Sequence, residues 1–481
     1  MGKPFSLVPC EVPLLETRHR RIVSPLPHPD SVPILKKIHA VEPRASDCQP
    51  PLLWDCAEDV NIFDKFGNKW LDFTSGVLVT NAGHNAPEVQ QAIIETAQHG
   101  TLHSFAFANE KRGELAEFLT HLAPEGLDKV FLLSTGAEAI EFAVKCCRAH
   151  GVKTGGDKKL AVVGFERAFH GRTLGAQQVG GIPGQKDWIV LRDPAMFNAP
   201  FPDGYWQEDT SFETFKQTIT AHGLKPENIA GVVMESFQGV GPDFAPVEYV
   251  RALREWCDRY GVLLVFDEIQ AGCGRSGRFW AFEHYGVTPD LITVGKGVSS
   301  SLPLSAVIGR PEILDIFDSG SLVSTHSGNP VCAAAALANL KKIIAAQLTE
   351  NAAALGPVLE EELEVIRTRH PERIGRVSAC GLVGGMQLVA PGAKEPHHDL
   401  AHRIVELAFR KGLLLFAPVG AWGQTVKIAR PSPSRRTPCA KGCRPWRRRR
   451  PKPSPSTDRT DRPARNGHAP RNRLAAGVAA G

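Results

Sequence analysis

The feature that most constrains this chain is an alternation running from Ala86 to Glu406, where helical spacing of apolar residues takes turns with short β-branched runs. The spacing predicts helices over 110–122, 138–150 and 247–260, and strands over 129–133, 160–164, 229–234, 262–267 and 291–294. Runs such as Val262, Leu263, Leu264, Val265, Phe266 are apolar on both faces and must lie between two layers. Helices between such strands describe an α/β domain with a mostly parallel sheet. Residues 1–50, rich in Pro and His, read as an irregular arm, and 53–73 read as a hairpin around Lys65, Phe66, Gly67 and Asn68. Helical patterns over 330–349 and 351–370 lead into strand-like runs at 382–389 and 413–415, a smaller α+β unit expected to pack with the hairpin. The expected organisation is therefore 1–80 as arm and hairpin, 81–345 as the large domain, 346–429 as the small domain, and 430–481 as a tail.

Composition then removes several function classes. The net charge of +5 is an average of unlike parts: residues 430–481 hold 15 Lys or Arg against 2 acidic residues, leaving 41 basic and 49 acidic residues before them. An acidic body gives no footprint for nucleic acid. No apolar run has the length of a membrane span, and the first thirty residues lack a secretory pattern, so a cytoplasmic protein is expected. The 11 cysteines show no framework spacing, which favours free thiols in a reducing compartment over disulfides or a zinc site. No metal ligand set is expected.

The chemistry concentrates at the strand ends. Asp267 closes one buried run, and Lys296 follows another, between Gly295 and Gly297. Open α/β sheets place ligands at that edge. A surface loop lysine is the default reading of any single Lys, but an amine and a carboxylate on neighbouring strand ends are what pyridoxal phosphate chemistry needs: one to bind the cofactor's carbonyl, one to keep its pyridine nitrogen protonated. Ser134, Thr135, Gly136 and Ala137 open a helix after the 129–133 strand and offer backbone N–H groups to a phosphate, while also serving as an ordinary N-cap. Phe169, beside His170 and Gly171, supplies a ring for stacking on a flat cofactor, or else a core residue. A competing motif, Gly272, Gly274 and Gly277, spells the dinucleotide fingerprint, but Arg278 to Phe282 does not open as a fingerprint helix.

Taken in order, 134–141, 169–173, 235–239 (ESFQG), 267–270 (DEIQ), Lys296 and 325–330 (THSGNP) resemble the class III aminotransferases, the group of the 4-aminobutyrate, ornithine and acetylornithine enzymes, over residues 20–429. The resemblance implies fold type I of the pyridoxal 5'-phosphate enzymes and a homodimer with active sites at the subunit interface. It makes Lys296 the cofactor-binding lysine and proton shuttle, and Asp267 the partner of the pyridine nitrogen. It makes Gly136 and Ala137 phosphate ligands, Phe169 the stacking ring, Gln270 a contact of the ring hydroxyl, and Thr325 a contact of the phosphate bound by the other subunit. The implied reaction is transamination of an ω-amino acid or diamine, 4-aminobutyrate ranked first, with a 2-oxo acid acceptor. Aminomutase, racemase or decarboxylase chemistry on the same cofactor is the alternative, and nucleic-acid binding by the tail a distant third.

Two departures stand out. Where many members pair a Glu after the EPxQG motif with an Arg on a late strand, this chain has Val240 and Lys427. Losing both together avoids an unpaired buried charge, and Lys427 retains a point charge for a substrate carboxylate. After Ala429 the family's PPLTIT-like segment gives way to Arg430, Pro431, Ser432, Pro433 and a basic run. Read one base earlier, the codons permit Pro, Pro, Leu, Thr, Ile, Thr, which implies a single-base deletion in the gene or its sequencing. Such a tail is expected to be disordered from 430 and to leave Ile404, Val405, Leu407, Phe409 and the 413–416 strand partly uncovered.

Overall fold

Each buried run becomes a strand of one layered sheet. The computed structural model describes residues 3–300 and 302–432, and its strands are β1 (Leu15–Glu16), β2 (Arg21–Ile22), β3 (Cys56–Glu58), β4 (Asn61–Phe63), β5 (Lys69–Asp72), β6 (Lys129–Leu133), β7 (Ala161–Phe165), β8 (Met196–Ala199), β9 (Ile229–Glu235), β10 (Leu263–Asp267), β11 (Leu291–Val294), β12 (Ser305–Gly309), β13 (Ile374–Cys380), β14 (Val383–Leu388), β15 (Leu413–Leu414) and β16 (Thr425–Ala429). The central sheet has seven strands in the order β6-β12-β11-β10-β9-β7-β8. Its neighbours pair in parallel except at β12, which runs antiparallel to both β11 and β6. Both faces are covered: Leu263 and Val265 of β10 pack with Ile140 and Cys147 of the Gly136–Gly155 helix, while Leu264 and Phe266 pack with Leu253, Trp280 and Tyr285. That two-sided burial is why these runs lack alternation.

The sequence reading omitted β8 and β12, whose Asn, Ser and Gly content hides them, and the hairpin proves to be three strands. An extra turn through Asp59 (φ +53°) separates β3 from β4, before the Lys65–Asn68 turn anticipated above. Asp64 Oδ1 holds that second turn by accepting from the N–H groups of Phe66 and Asn68, each at 2.9 Å. β15 joins the same sheet, pairing Leu413 with Leu71 and Leu414 with Asp72 in parallel. β13, β14 and β16 form a separate antiparallel sheet of three strands. Between them, the long helical stretch breaks at Gln347 (φ +53°) into helices Pro330–Ala345 and Leu348–Arg369, bent by 62°. No single helix among the described residues is long and apolar enough to cross a membrane.

Two expectations are corrected. The arm is not irregular throughout, since it holds helix Val32–Val41, and it covers much of helix His398–Arg410 and the strand after it, which the sequence leaves partly bare. Ile22 and Leu26 of the arm cluster with Trp70, Phe409 and Leu414, and Phe5 joins Val405 and Leu415. Trp70 Nε1 donates to Phe409 O at 2.9 Å. Val405, Phe409 and Leu415 are consequently buried, Phe416 is buried in a separate cluster with Leu78 and Phe237, Ile404 is half-buried, and Leu407 is left at the surface. The tail also begins ordered: Pro431 and Ser432 are buried, and Ser432 N–H donates to Asn81 O at 3.0 Å. The expectations for 433–481 lie outside the described residues.

Candidate active site

The carboxyl ends of β9, β10 and β11 stand side by side, and their register lines up Glu235, Asp267 and Thr293. Asp267 is buried and fully oriented: Oδ2 lies 2.8 Å from His170 Nδ1, and Oδ1 accepts from Ile269 N–H at 2.9 Å and Thr293 Oγ1 at 3.4 Å. His170 is buried as well, and its Nε2 has no partner in the described chain. Burial works against a charged imidazole there, but Asp267, with Glu235 behind it, holds the His170 pKa above its ordinary value. Glu235 accepts from Phe169 N–H at 3.0 Å and Gly239 N–H at 2.9 Å, and burial pushes its carboxyl up to about 7.

Lys296 begins the short turn after β11 in a left-handed conformation, φ +43°. Gly297 beside it has no room for a side chain, since a Cβ would come 2.7 Å from Asn81 Nδ2. Burial lowers the Lys296 pKa, against the pull of Asp267 and Glu235, and its amine makes no hydrogen bond or ion pair with any described residue.

Across the sheet, Thr135 caps the Gly136–Gly155 helix, accepting from Glu138 N–H while Glu138 reaches back to the N–H groups of Ser134 and Thr135. The N–H groups of Gly136 and Ala137 keep no acceptor in the described chain, so the helix start is open to an anion. Gly171 (φ +131°) lets the Phe169 loop lie on this start, for a Cβ there would stand 2.6 Å from Ala137 Cβ. Glu141 ties the same loop down, accepting from Thr173 Oγ1 at 2.6 Å and Gly175 N–H at 2.8 Å.

The departure at Val240 and Lys427 meets the site at its other side. Lys427, buried on β16, donates to Gln270 Oε1 at 2.9 Å and to Gly239 O, next to the half-buried Val240. Phe237 and Phe416 flank its ammonium at 5.9 and 5.7 Å. Burial, then the nearby Lys296, bring its pKa down to about 7. Lys427 is thus already engaged by the chain, and so is Gln270.

Thr325 is not brought to this cluster. It is exposed on the turn before the Pro330 helix, although Ser327 of that turn donates to Leu132 O near the helix start. The structure adds Glu235 and His170 to the site from within the 235–239 and 169–173 motifs. The signal for Glu235 was an acid closing a second buried strand, whereas His170 had no periodic signal at all. The glycine triplet at 272, 274 and 277 does not open a fingerprint helix: turns lead into the short Ala281–Tyr285 3₁₀ helix, which rules out the dinucleotide reading. No group of His, Cys, Asp and Glu among the described residues is placed to hold a metal ion.

Comparison with known proteins agrees with this geometry. The family model described as "Aminotransferase class-III" matches residues 44–442. A 5-aminovalerate aminotransferase, DavT, of Pseudomonas putida is 32% identical over 83% of this chain and 93% of its own. An isoleucine 2-epimerase of Lentilactobacillus buchneri is 33% identical over 77% of this chain and 84% of its own. The crystal structure of an (S)-enantioselective omega-transaminase from Thermomicrobium roseum superposes with a TM-score of 0.75 at 29% identity, covering 83% of this chain and 93% of that one. This chain belongs to the class III aminotransferases, fold type I enzymes that depend on pyridoxal 5'-phosphate.

Proposed function

We propose that the chain transfers the terminal amino group of an ω-amino acid such as 4-aminobutyrate or 5-aminovalerate, or of a diamine, to a 2-oxo acid. The observation that carries this reading is the half-buried Lys296 amine, bonded to no described residue, beside Asp267 and Glu235 at the strand ends. Pyridoxal 5'-phosphate fits the residues present. The open N–H groups of Gly136 and Ala137 would take its phosphate, Phe169 would cover its ring, Asp267 would accept from its ring nitrogen, and Lys296 would hold its carbonyl carbon. The cofactor, when bound, supplies an electron sink that acidifies the C–H bond beside the substrate nitrogen. Once the substrate amine has taken its place on that carbonyl carbon, Lys296 is a free base: burial favours its neutral amine, so it can take that proton and return it two atoms along, across the substrate nitrogen. Asp267 stays oriented through His170 and Ile269, which holds its charge in place without reorganisation during the reaction.

A working unit of two chains is part of the proposal, because Thr325 is exposed here and has a role only against a second copy. The nine described cysteines are all unbonded, which supports a cytoplasmic setting. The test is the visible absorbance of the purified protein before and after adding 4-aminobutyrate, 5-aminovalerate or ornithine, together with 2-oxo acid consumption. A stable absorbance change with no transfer to 2-oxoglutarate or pyruvate would reject transamination. Racemisation is the second reading, prompted by the epimerase relative, and inversion of an α-amino acid with its nitrogen retained would establish it.

A further inference from the structure

The turn from Gln238 to Asp243 carries Gly239 and Val240 beyond the end of β9, and it is gripped from outside the site. Gln238 and Asp243 close it as a bridge, the Gln238 N–H donating to Asp243 O at 2.8 Å. All strands of the small sheet reach it. From β13, Ser378 Oγ donates to Pro242 O at 2.6 Å, and Arg376 Nε lies 3.4 Å from Asp243 Oδ1. From β14, Gln387 Nε2 donates to both Asp243 carboxylate oxygens, at 3.1 and 3.2 Å. From β16, Lys427 donates to Gly239 O. Gly385 of β14 is bare because a Cβ would stand 2.6 Å from Pro242 Cδ.

Arg376 and Gln387 are register partners on β13 and β14, so they act on Asp243 as a pair. The same guanidinium also reaches a second loop, donating from Nη1 to Asp203 O. That loop is rigid: the buried Asp203 side chain accepts from the N–H groups of Tyr205, Trp206 and Gln207 through Oδ1, and from Arg167 Nη2 at 2.7 Å through Oδ2. One arginine on the small sheet therefore spans two acid-bearing loops of the central one. Beside the backbone bridge and the Ser378 bond to Pro242 O, the Asp243 carboxylate is the turn's charged anchor to the small sheet.

We propose that Arg376, bridging Asp243 and Asp203, is a positioning residue that sets where Gly239 and Val240 stand against the substrate. The inference rests on the reading of the site given above. The charged and titratable groups that act on Asp243 are Arg376 on β13, Arg167 after β7 and Asp203 on its own loop, with Glu166, Tyr205, Glu208 and Lys394 in the next layer and Lys427 of β16 on Gly239 O of the same turn. Burial raises the Asp243 carboxyl to about 6, aided by Asp203 and opposed by Arg376 and Arg167. Acid therefore has two separable effects. Below pH 6 the neutral carboxyl no longer pairs with Arg376, which loosens the turn. Yet a folded-state pKa above the unfolded one means that this group's contribution to stability is present at low pH and lost as pH rises through 6. Substrate binding and stability are thus expected to respond to this proton in opposite directions.

The experiment uses the cofactor-loaded full chain with 4-aminobutyrate or 5-aminovalerate, whichever turns over faster, from pH 5 to 8. Asp243→Asn and Arg376→Ala are expected to raise the amino donor's KM on the order of ten-fold while kcat holds within about two-fold, the signature of lost binding alone. Arg376→Lys should recover part of the loss. In the wild type, KM should climb as pH falls through about 6, and in Asp243→Asn that climb should be gone. Should Arg376→Ala fail to fold, the isosteric Asp243→Asn decides alone. An unchanged KM in folded variants overturns the proposal, as does a fall in kcat that tracks thermal stability and cofactor loss. Wild-type absorbance reports separately on the site: if the protein binds no pyridoxal 5'-phosphate, the site reading fails and the clamp with it.

Discussion

Lys296 occupies a left-handed backbone conformation that a side-chain-bearing residue adopts at a cost of about 1–3 kcal/mol. Gly297 next to it packs against Asn81, and the Lys296 amine stands where Asp267 acts on it before any ligand arrives. Lys296→Ala should remove both transamination and the cofactor's lysine-dependent visible absorbance, and an active variant would disprove the assignment. The buried acids make a second prediction. Glu235 and Glu268 are both raised to about 7, chiefly by burial, so the stability they contribute is complete below the ordinary carboxylate range and is lost as pH rises through 7. Lys427 works the other way: lowered to about 7, it penalises the fold below that pH and the penalty lifts as pH rises toward 10.5. Cofactor-free protein should thus melt at its lowest temperature near neutrality. Glu268→Gln should flatten the decline between pH 4.5 and 7 by about one proton's worth, roughly 1.4 kcal/mol per pH unit. An unaltered slope in a thermal-melt series would show that Glu268 does not hold that proton.

At the scale of elements, the Gly136–Gly155 helix start and the Phe169 loop are built as one cradle. Gly171→Ala would press a Cβ on Ala137, at 2.6 Å from its Cβ and 2.9 Å from its Cα, in a region of φ closed to alanine. A loss of about 2 kcal/mol of stability and a weakened cofactor affinity are expected, measurable by melting and by cofactor titration. Gly113→Ala is the matched control: it lies within helix Glu110–Leu122 with nothing within 4 Å of a built Cβ, so it should stabilise by about 0.5–1 kcal/mol. The same contrast explains how much of the site was legible. Lys296, Asp267 and the Gly136 helix start follow apolar runs, and runs are visible in a sequence. Glu235 meeting Asp267 is a matter of strand register, and His170 meeting Asp267 is a contact between residues 97 apart in the chain.

Across the whole molecule, the last described segment seals a region built from distant parts of the chain. Arg275, buried with no acidic partner within bonding distance among the described residues, donates to Arg430 O and Asn81 Oδ1, while Ser432 accepts from Asn351 at 2.9 Å and donates to Leu348 O at 3.2 Å. Truncation after Ser432 should therefore leave cofactor binding intact. Truncation after Ala429 should lower the melting temperature and the cofactor content, because Asn81 also braces Gly297 beside Lys296. Equal behaviour of the two truncations would remove this role from Arg430–Ser432. Repeated sequencing of the source DNA through the Ala429 codon tests the inferred base deletion directly, and an intact frame would reject it.

The sequence by itself determined the layering, because runs apolar on both faces can be buried only in the middle of an α/β sandwich. It also determined which strand ends carry an amine and a carboxylate, because those follow directly from where each run stops. Only the tertiary structure decided that the arm covers the Phe409 helix, that Lys427 is held by Gln270 and Gly239, and that Arg376 grips the Asp243 turn. Those are meetings of residues far apart in the chain, fixed by packing and register, and no local pattern of apolar and polar residues encodes them.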